Sequence, residues 1–180
     1  MKIARTIFSL TFLLYIYGVS FGQSIDEYTL KAIWLGKFPY FIEWPETQSK
    51  NPEAFIIGIY GEDPFNGKLD SIYINQFFEE KPTRVVHYSN TKNIDEASIL
   101  FIAKTDCSNF KEILDISFRN GVLLISDSED SAERGVHICF YTKENHLRFK
   151  INESSMKKSD FFVSFRLLNI AQIIEPINRE

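Results

Sequence analysis

Cysteine is scarce in this sequence: Cys107 and Cys139 are the only two in 180 residues, and neither sits in a CxxC pair or at ligand spacing from a histidine. That excludes a disulfide-dense scaffold and a zinc ribbon. The three histidines, His87, His137 and His146, are scattered. A turn near Glu144-Asn145 would set His146 beside Tyr141 and far from His137, so they do not read as a metal site. No serine stands in a nucleophile elbow. Gly61 is a lone glycine between a strand and a helix, and Glu62 and Asp63 beside it would repel a phosphate. Basic residues are not in excess: Lys and Arg total 20 against 24 Asp and Glu, for a net charge of −4. The chain therefore lacks the electrostatic footprint of a nucleic-acid binder. After Val19 no long apolar run recurs.

What is present begins with Lys2 and Arg5, followed by the apolar run "IFSLTFLLYIYGV" and the small residues Ser20 and Gly22. Basic, apolar, then small is the order of a secretory leader, so residues 1–22 are expected to be a signal peptide that leaves Gln23 first. The alternative is a membrane anchor, but the run is shorter than the roughly 20 residues a bilayer span needs. No Cys follows the cut, so a lipoprotein is not expected. Residues 23–180 then read as a single exported domain of net charge −6, large enough to bury a core without staples.

Periodicity predicts the elements. Leu30, Ile33, Trp34, Phe38, Phe41 and Ile42 recur at helical spacing, which predicts a helix from Asp26 to Trp44 with a kink or break at Pro39 and a stop at Pro45. Within it, "KFPYFIEWP" packs four aromatics and two prolines into nine positions. A strand follows over Ala54–Tyr60, then a helix start with Asp63 as N-cap and Pro64 at the first position. "TRVVHYS", "ASILFIA" and "VLLISD" read as further strands, and "SNFKEILDISFRN" as a helix closed by Gly121. "VHICFYTKENHLRFKIN" predicts a hairpin. Ser154 to Ile174 reads as one long amphipathic helix. Alternating strands and helices predict a three-layer α/β domain: a mostly parallel central sheet, helices on both faces, and an antiparallel hairpin at one edge.

Two cysteines in an exported chain leave both a disulfide and two free, mostly buried thiols open. Each lies among apolar neighbours, so folding is expected not to depend on a bond. The acidic loop "SDSEDSAE" follows a strand's C-terminal end, the edge where open α/β sheets take ligands. It lacks the glycine and spacing of a calcium loop. Gly61, Asp63, Asp127 and Glu129 are the candidates for a ligand crevice there. Most aromatics of the first helix should be core. Tyr40 and Trp44 point away from its main stripe, however, and Phe161 and Phe162 open the last segment. These four are the candidates for a partner surface.

Five pieces in order resemble the YfiR-like family. "LKAIWLGKFPYFIEWP" is similar to its K-A-x-x-L-x-x-F-x-x-F-x-E-W-P helix, and "IIGIYGEDPFNGKL" to its strand, Gly-Asp-Asp-Pro-Phe turn and helix. "ASILFIA" resembles the central strand, and "VLLISDSEDSAERGVHICF" the V-L-x-V-S-D, acidic loop and G-x-I-x-F. "LRFKINESSMKKSDFFVSFRLLNIAQI" resembles the R-F-x-I-N and terminal helix. The resemblance implies a periplasmic α/β domain without catalysis or cofactor. It implies a partner in the outer-facing part of an inner-membrane diguanylate cyclase, which it holds inactive, and an outer-membrane lipoprotein that relieves the inhibition. It would thus control cyclic di-GMP and biofilm behaviour. Other members serve other membrane sensors, including histidine kinases. This chain departs from the pattern at Pro39. It also departs in the loop disulfide of the best-known member, whose second Cys falls near Cys139 while Ala132 and Glu133 stand where the first would be. The third departure is the Phe-rich "KKSDFFVSF".

Three functional readings remain: a protein-binding regulator, a small-molecule sensor serving a receptor such as a histidine kinase, and a secreted hydrolase. The missing catalytic constellations disfavour the last. The sequence leaves a homodimer open. Mass spectrometry of the native protein is expected to find Gln23 as its first residue, and a chain still carrying Met1 to Gly22 would overturn the leader assignment.

Overall fold

The apolar strands alternate their side chains between two cores. Ile57, Ile59, Ile99, Phe101, Leu123 and Ile125 belong to one cluster, and Ile56, Leu100, Ile102 and Leu124 to the other. Odd and even positions therefore face opposite sides, as the period of a strand requires, and both sides are covered. The computed structural model describes residues 26–46, 53–103, 105 and 107–174. The expected leader lies outside the described residues.

Helix α1 (Glu27–Leu35) is followed by a 3-10 turn (Phe38–Tyr40) and strand β1 (Ile42–Glu43). Then come β2 (Phe55–Tyr60), α2 (Lys68–Tyr73), β3 (Phe77–Phe78), β4 (Lys81–Tyr88), a 3-10 turn (Ile94–Glu96) and β5 (Ile99–Ile102). The chain continues through α3 (Phe110–Asn120), β6 (Leu123–Ser126), β7 (Ile138–Lys143), β8 (His146–Asn152) and α4 (Glu153–Lys158). It ends with β9 (Phe162–Val163), α5 (Phe165–Leu168) and β10 (Gln172–Ile174). The main sheet has eight strands in the order β10-β8-β7-β6-β5-β2-β4-β3, and β1 pairs with β9 in a separate two-stranded sheet. Strands β7, β6, β5, β2 and β4 run parallel. The fold is the mostly parallel α/β sheet that the alternation predicts. Helices α1 and α2 pack on one face of it, and α3 on the other.

The β7–β8 hairpin turns at Glu144 and Asn145, both with positive φ, as predicted. It does not form the edge itself, because β10 adds parallel to β8 beyond it.

Three local expectations are corrected. The first helix ends at Leu35, well before Trp44. Gly36 lies so close to the Tyr73 ring that an added Cβ would run into it, while the Tyr73 hydroxyl donates to the Ala32 carbonyl at 2.7 Å. Pro39 then sits in the 3-10 turn, and Ile42–Glu43 is extended. Second, Asp63 does not cap a helix. Its carboxylate accepts from the Phe65 and Gly67 amides at 2.8 and 2.9 Å, which closes a turn, and α2 starts only at Lys68. Third, the long terminal helix is four elements. Asn152 caps α4 by accepting from the Ser155 amide, and Asp160 at φ 55 stops it. Phe162 and Val163 then bond to β1, a tertiary contact that overrides helical spacing.

Cys107 and Cys139 both carry free thiols, and burial raises the pKa of Cys139 above its ordinary value.

His137 is fully buried beside Phe118 and Phe161. Its Nδ1 accepts from the Leu124 amide at 3.0 Å, so the ring proton sits on Nε2, 2.8 Å from the Ser159 hydroxyl. Burial disfavours the imidazolium more than the Ser155 backbone favours it, and the pKa falls from 6.5 to about 3. The unfolded chain therefore binds a proton that the folded one refuses. The stability this group contributes is full above pH 6.5 and is lost as pH falls toward 3. Urea unfolding is expected to show stability dropping as pH goes from 6.5 to 5, with a slope approaching 1.4 kcal/mol, roughly, per pH unit. A His137→Asn variant should lose that slope.

Candidate functional site

Strand β1 and strand β9 come from opposite ends of the chain, yet they pair antiparallel: Ile42 lies opposite Val163 and Glu43 opposite Phe162. The Ser164 amide donates to the Phe41 carbonyl at 2.8 Å. This pairing gathers the aromatic candidates into one region and then sorts them. Tyr40 and Phe162 face solvent at 67% and 66% exposure. Trp44 is half-buried, its ring edge-on to Phe55 and Phe161 at 5.9 and 5.7 Å, and its indole N–H donates to the Ser98 carbonyl at 3.3 Å. Phe161 lies in the core, because period-2 alternation through β9 turns it inward when Phe162 turns out.

Two residues that the sequence reading passed over extend the surface: Phe77 is exposed and lines a hollow with Tyr40, and Phe78 stacks edge-on against Tyr40 at 5.6 Å. The "QFFEEKP" stretch held the signal: two aromatics beside turn-forming and charged residues, with no helical partner. The Tyr40–Phe78 pair separates two hollows. One, of about 320 Å³, lies along β1 toward the tip of the β3–β4 hairpin and is floored by Trp44, Ala54 and Phe55. The other, of about 290 Å³, is bounded by Ile33, Gly36, Tyr73 and Phe77. Phe55 begins β2, Lys81 begins β4 and Ser98 precedes β5, so this apolar region sits at the N-terminal ends of the parallel strands.

The ligand-crevice candidates sit at the other ends of those strands, where the fold has already engaged most of their polar groups. Asp127 accepts from Lys31 Nζ at 2.6 Å, and Lys31 also meets Glu27 at 2.7 Å. The Lys31 side chain is only 4% exposed, and its ammonium lies 4.2 Å over the Tyr28 ring. Burial alone would lower the Lys31 pKa, but the hydrogen bonds to Asp127 and Glu27 outweigh it and hold the pKa above its ordinary value. Lys31 is charged at neutral pH and loses its contribution only as pH rises past 10.5. Asp63 is consumed by its turn, and the Gly61 amide donates to the Tyr88 carbonyl at 2.9 Å. Glu129 is exposed. Among the described residues, no group of three His, Cys, Asp or Glu is arranged to hold a metal ion, and no helix is long and apolar enough to cross a membrane.

Removing Lys31 strands the Asp127 charge, and removing Asp127 leaves Lys31 only its half-exposed partner Glu27. Lys31→Met and Asp127→Leu are each expected to destabilise by about 3 kcal/mol in urea unfolding, and the double variant by much less than the sum. Additive losses would show that the two groups do not act as a pair.

The family described as DUF4154, YfiR/HmsC-like, matches residues 28–172, a span that runs from α1 to the first residue of β10 and includes Lys31, Asp127 and the β1–β9 pairing. No match is found among curated proteins. The matched span covers most of the chain, and this protein therefore belongs to the YfiR/HmsC-like family.

Proposed function

We propose that this chain is an exported, non-catalytic regulator that binds the outer-facing part of an inner-membrane signalling protein and holds it inactive. The partner fits the diguanylate cyclase type, so the chain would act on cyclic di-GMP and biofilm behaviour from the periplasm. Family membership supports the regulatory reading. The leader pattern of residues 1–22 supports export. An outer-membrane lipoprotein that relieves the inhibition, and a homodimer, are compatible with it.

The observation that carries the proposal is the exposure of Tyr40 and Phe162 along one hollow, with exposed Phe77 lining the neighbouring hollow beside Tyr40. A cluster of exposed aromatics costs solubility and marks a surface that is covered in use. The competing reading, a small-molecule sensor at the strand C-terminal ends, has less support. Its carboxylates Asp63 and Asp127 already serve the fold.

Crosslinking in intact cells is expected to capture a membrane-bound cyclase. Tyr40→Ala and Phe162→Ala should each keep the wild-type circular dichroism, because both side chains are largely solvent-exposed. Each should weaken capture about thirtyfold, which corresponds to roughly 2 kcal/mol for an aromatic anchor. Wild-type capture by both variants would refute the surface, and failure of the parent protein to capture any membrane signalling protein would refute the regulator.

A further inference from the structure

The 320 Å³ hollow is walled by aromatic rings and also carries charge. Tyr40 and Phe162 are its exposed rings, while Trp44, Phe55 and Phe78 are more buried. Two exposed carboxylates line it as well, Glu43 and Glu79, and each stands beside a ring. Glu43 lies opposite Phe162 in the β1–β9 register, and directly opposed residues point to the same face of a ribbon. Glu79 follows Phe78 at the tip of the β3–β4 hairpin, and Phe78 meets the Tyr40 ring at 5.6 Å. Neither carboxylate has an ion-pair partner among the described residues. Lys81 is the one cation among the lining residues, so it offsets at most half of their charge.

An aromatic ring carries negative charge density over its faces, so the rings and the carboxylates here act with one sign. A purely apolar cover would strip water from two carboxylates and give them nothing in return. An acidic group would be repelled. A cation with flat, weakly hydrated faces answers both features. The arginine guanidinium is that group: its plane stacks on rings and its N–H fork reaches carboxylates, which a strongly hydrated lysine ammonium does less well. Ring contacts from Tyr40 to Phe78, Phe55 and Trp44, at 5.6, 4.7 and 5.9 Å, set the wall before anything enters. Arginine and aromatic residues are also the types that protein interfaces concentrate at their strongest contacts.

We propose that this hollow receives an arginine side chain of the partner protein. The guanidinium lies against the exposed rings of Tyr40 and Phe162 and donates to the Glu43 and Glu79 carboxylates. This rests on the reading that the chain binds a partner protein, and it specifies the charge and shape of the group that the partner inserts.

The test titrates the isotope-labelled full chain with N-acetyl-arginine amide and follows the amide and indole N–H signals by NMR. N-acetyl-citrulline amide is the control, because it has the same outline with a neutral urea in place of the guanidinium. The arginine amide should shift the Trp44 indole and the Glu43 and Glu79 amides saturably, and the citrulline amide should bind at least about tenfold more weakly. This comparison needs no change to the protein. Tyr40→Leu, which keeps bulk but removes the ring, should weaken the arginine amide about threefold. Glu43→Gln combined with Glu79→Gln should abolish the preference for arginine over citrulline. Absence of a saturable shift at these positions, or equal binding of the two amides to the parent chain, would overturn the proposal. The two levels separate cleanly. Capture of a membrane partner that the double Gln variant leaves undiminished refutes the arginine contact and leaves the regulator standing. Selective binding of the arginine amide with no membrane partner captured refutes the regulator and leaves the cation site standing.

Discussion

The buried ammonium of Lys31 fixes the rest of the molecule. Its salt bridge to Asp127 ties α1 to the C-terminal end of β6, while Glu27 and Tyr28, on the same helix, hold the ammonium from its own side. An apolar helix face alone would pack on this sheet in several registers, since hydrophobic contact has no direction. A charge that must meet its partner selects one of them. With the start of α1 fixed, its end at Leu35 and the turn through Gly36 are fixed too. That brings Pro39 to Trp44 to the opposite ends of the strands.

The molecule is thereby polarised along its strands. At their C-terminal ends, charges and turns are internally satisfied by Lys31, Asp127, Asp63 and the Asp26–Lys68 bridge. At their N-terminal ends, aromatic rings crowd the surface. A chain of ring contacts runs inward from there, from Trp44 to Phe161, His137 and Phe118. The polar links of His137 to Leu124 and Ser159 anchor this chain in the core. Of the exposed rings, Tyr40 joins this chain through Phe78, Phe55 and Trp44, and an aromatic held by such packing has less entropy to lose on binding.

Much of this was legible in the sequence. The strand runs from "FIIGIY" to "VLLIS" declared themselves by length and β-branched content, and their alternation with helical stretches gave the parallel sheet. The ends of the chain were harder to read. Phe161, Phe165 and Leu168 have helical spacing, but Phe162 and Val163 are claimed by β1, a partner far away in sequence that periodicity cannot see. The same non-local pairing straightened Ile42 and Glu43. Tyr40 and Phe162 were picked out correctly as outward-facing positions, whereas Phe161 was assigned to the surface by its neighbourhood and lies in the core. Lys31 went unremarked because a lysine on an apolar face looks like a snorkelling surface residue. Glu27 four positions earlier was the available hint, and Asp127 could be found only in three dimensions.

The pairing of β1 with β9 has a temporal meaning as well as a spatial one. The second of these strands is made well after the first, and contacts of such high sequence separation form late because the intervening loop must first be closed. A chain halted before Val163 would carry the "KFPYFIEWP" segment without the strand that arranges it. The aromatic face is thus assembled only once β9 has been made and has closed on β1.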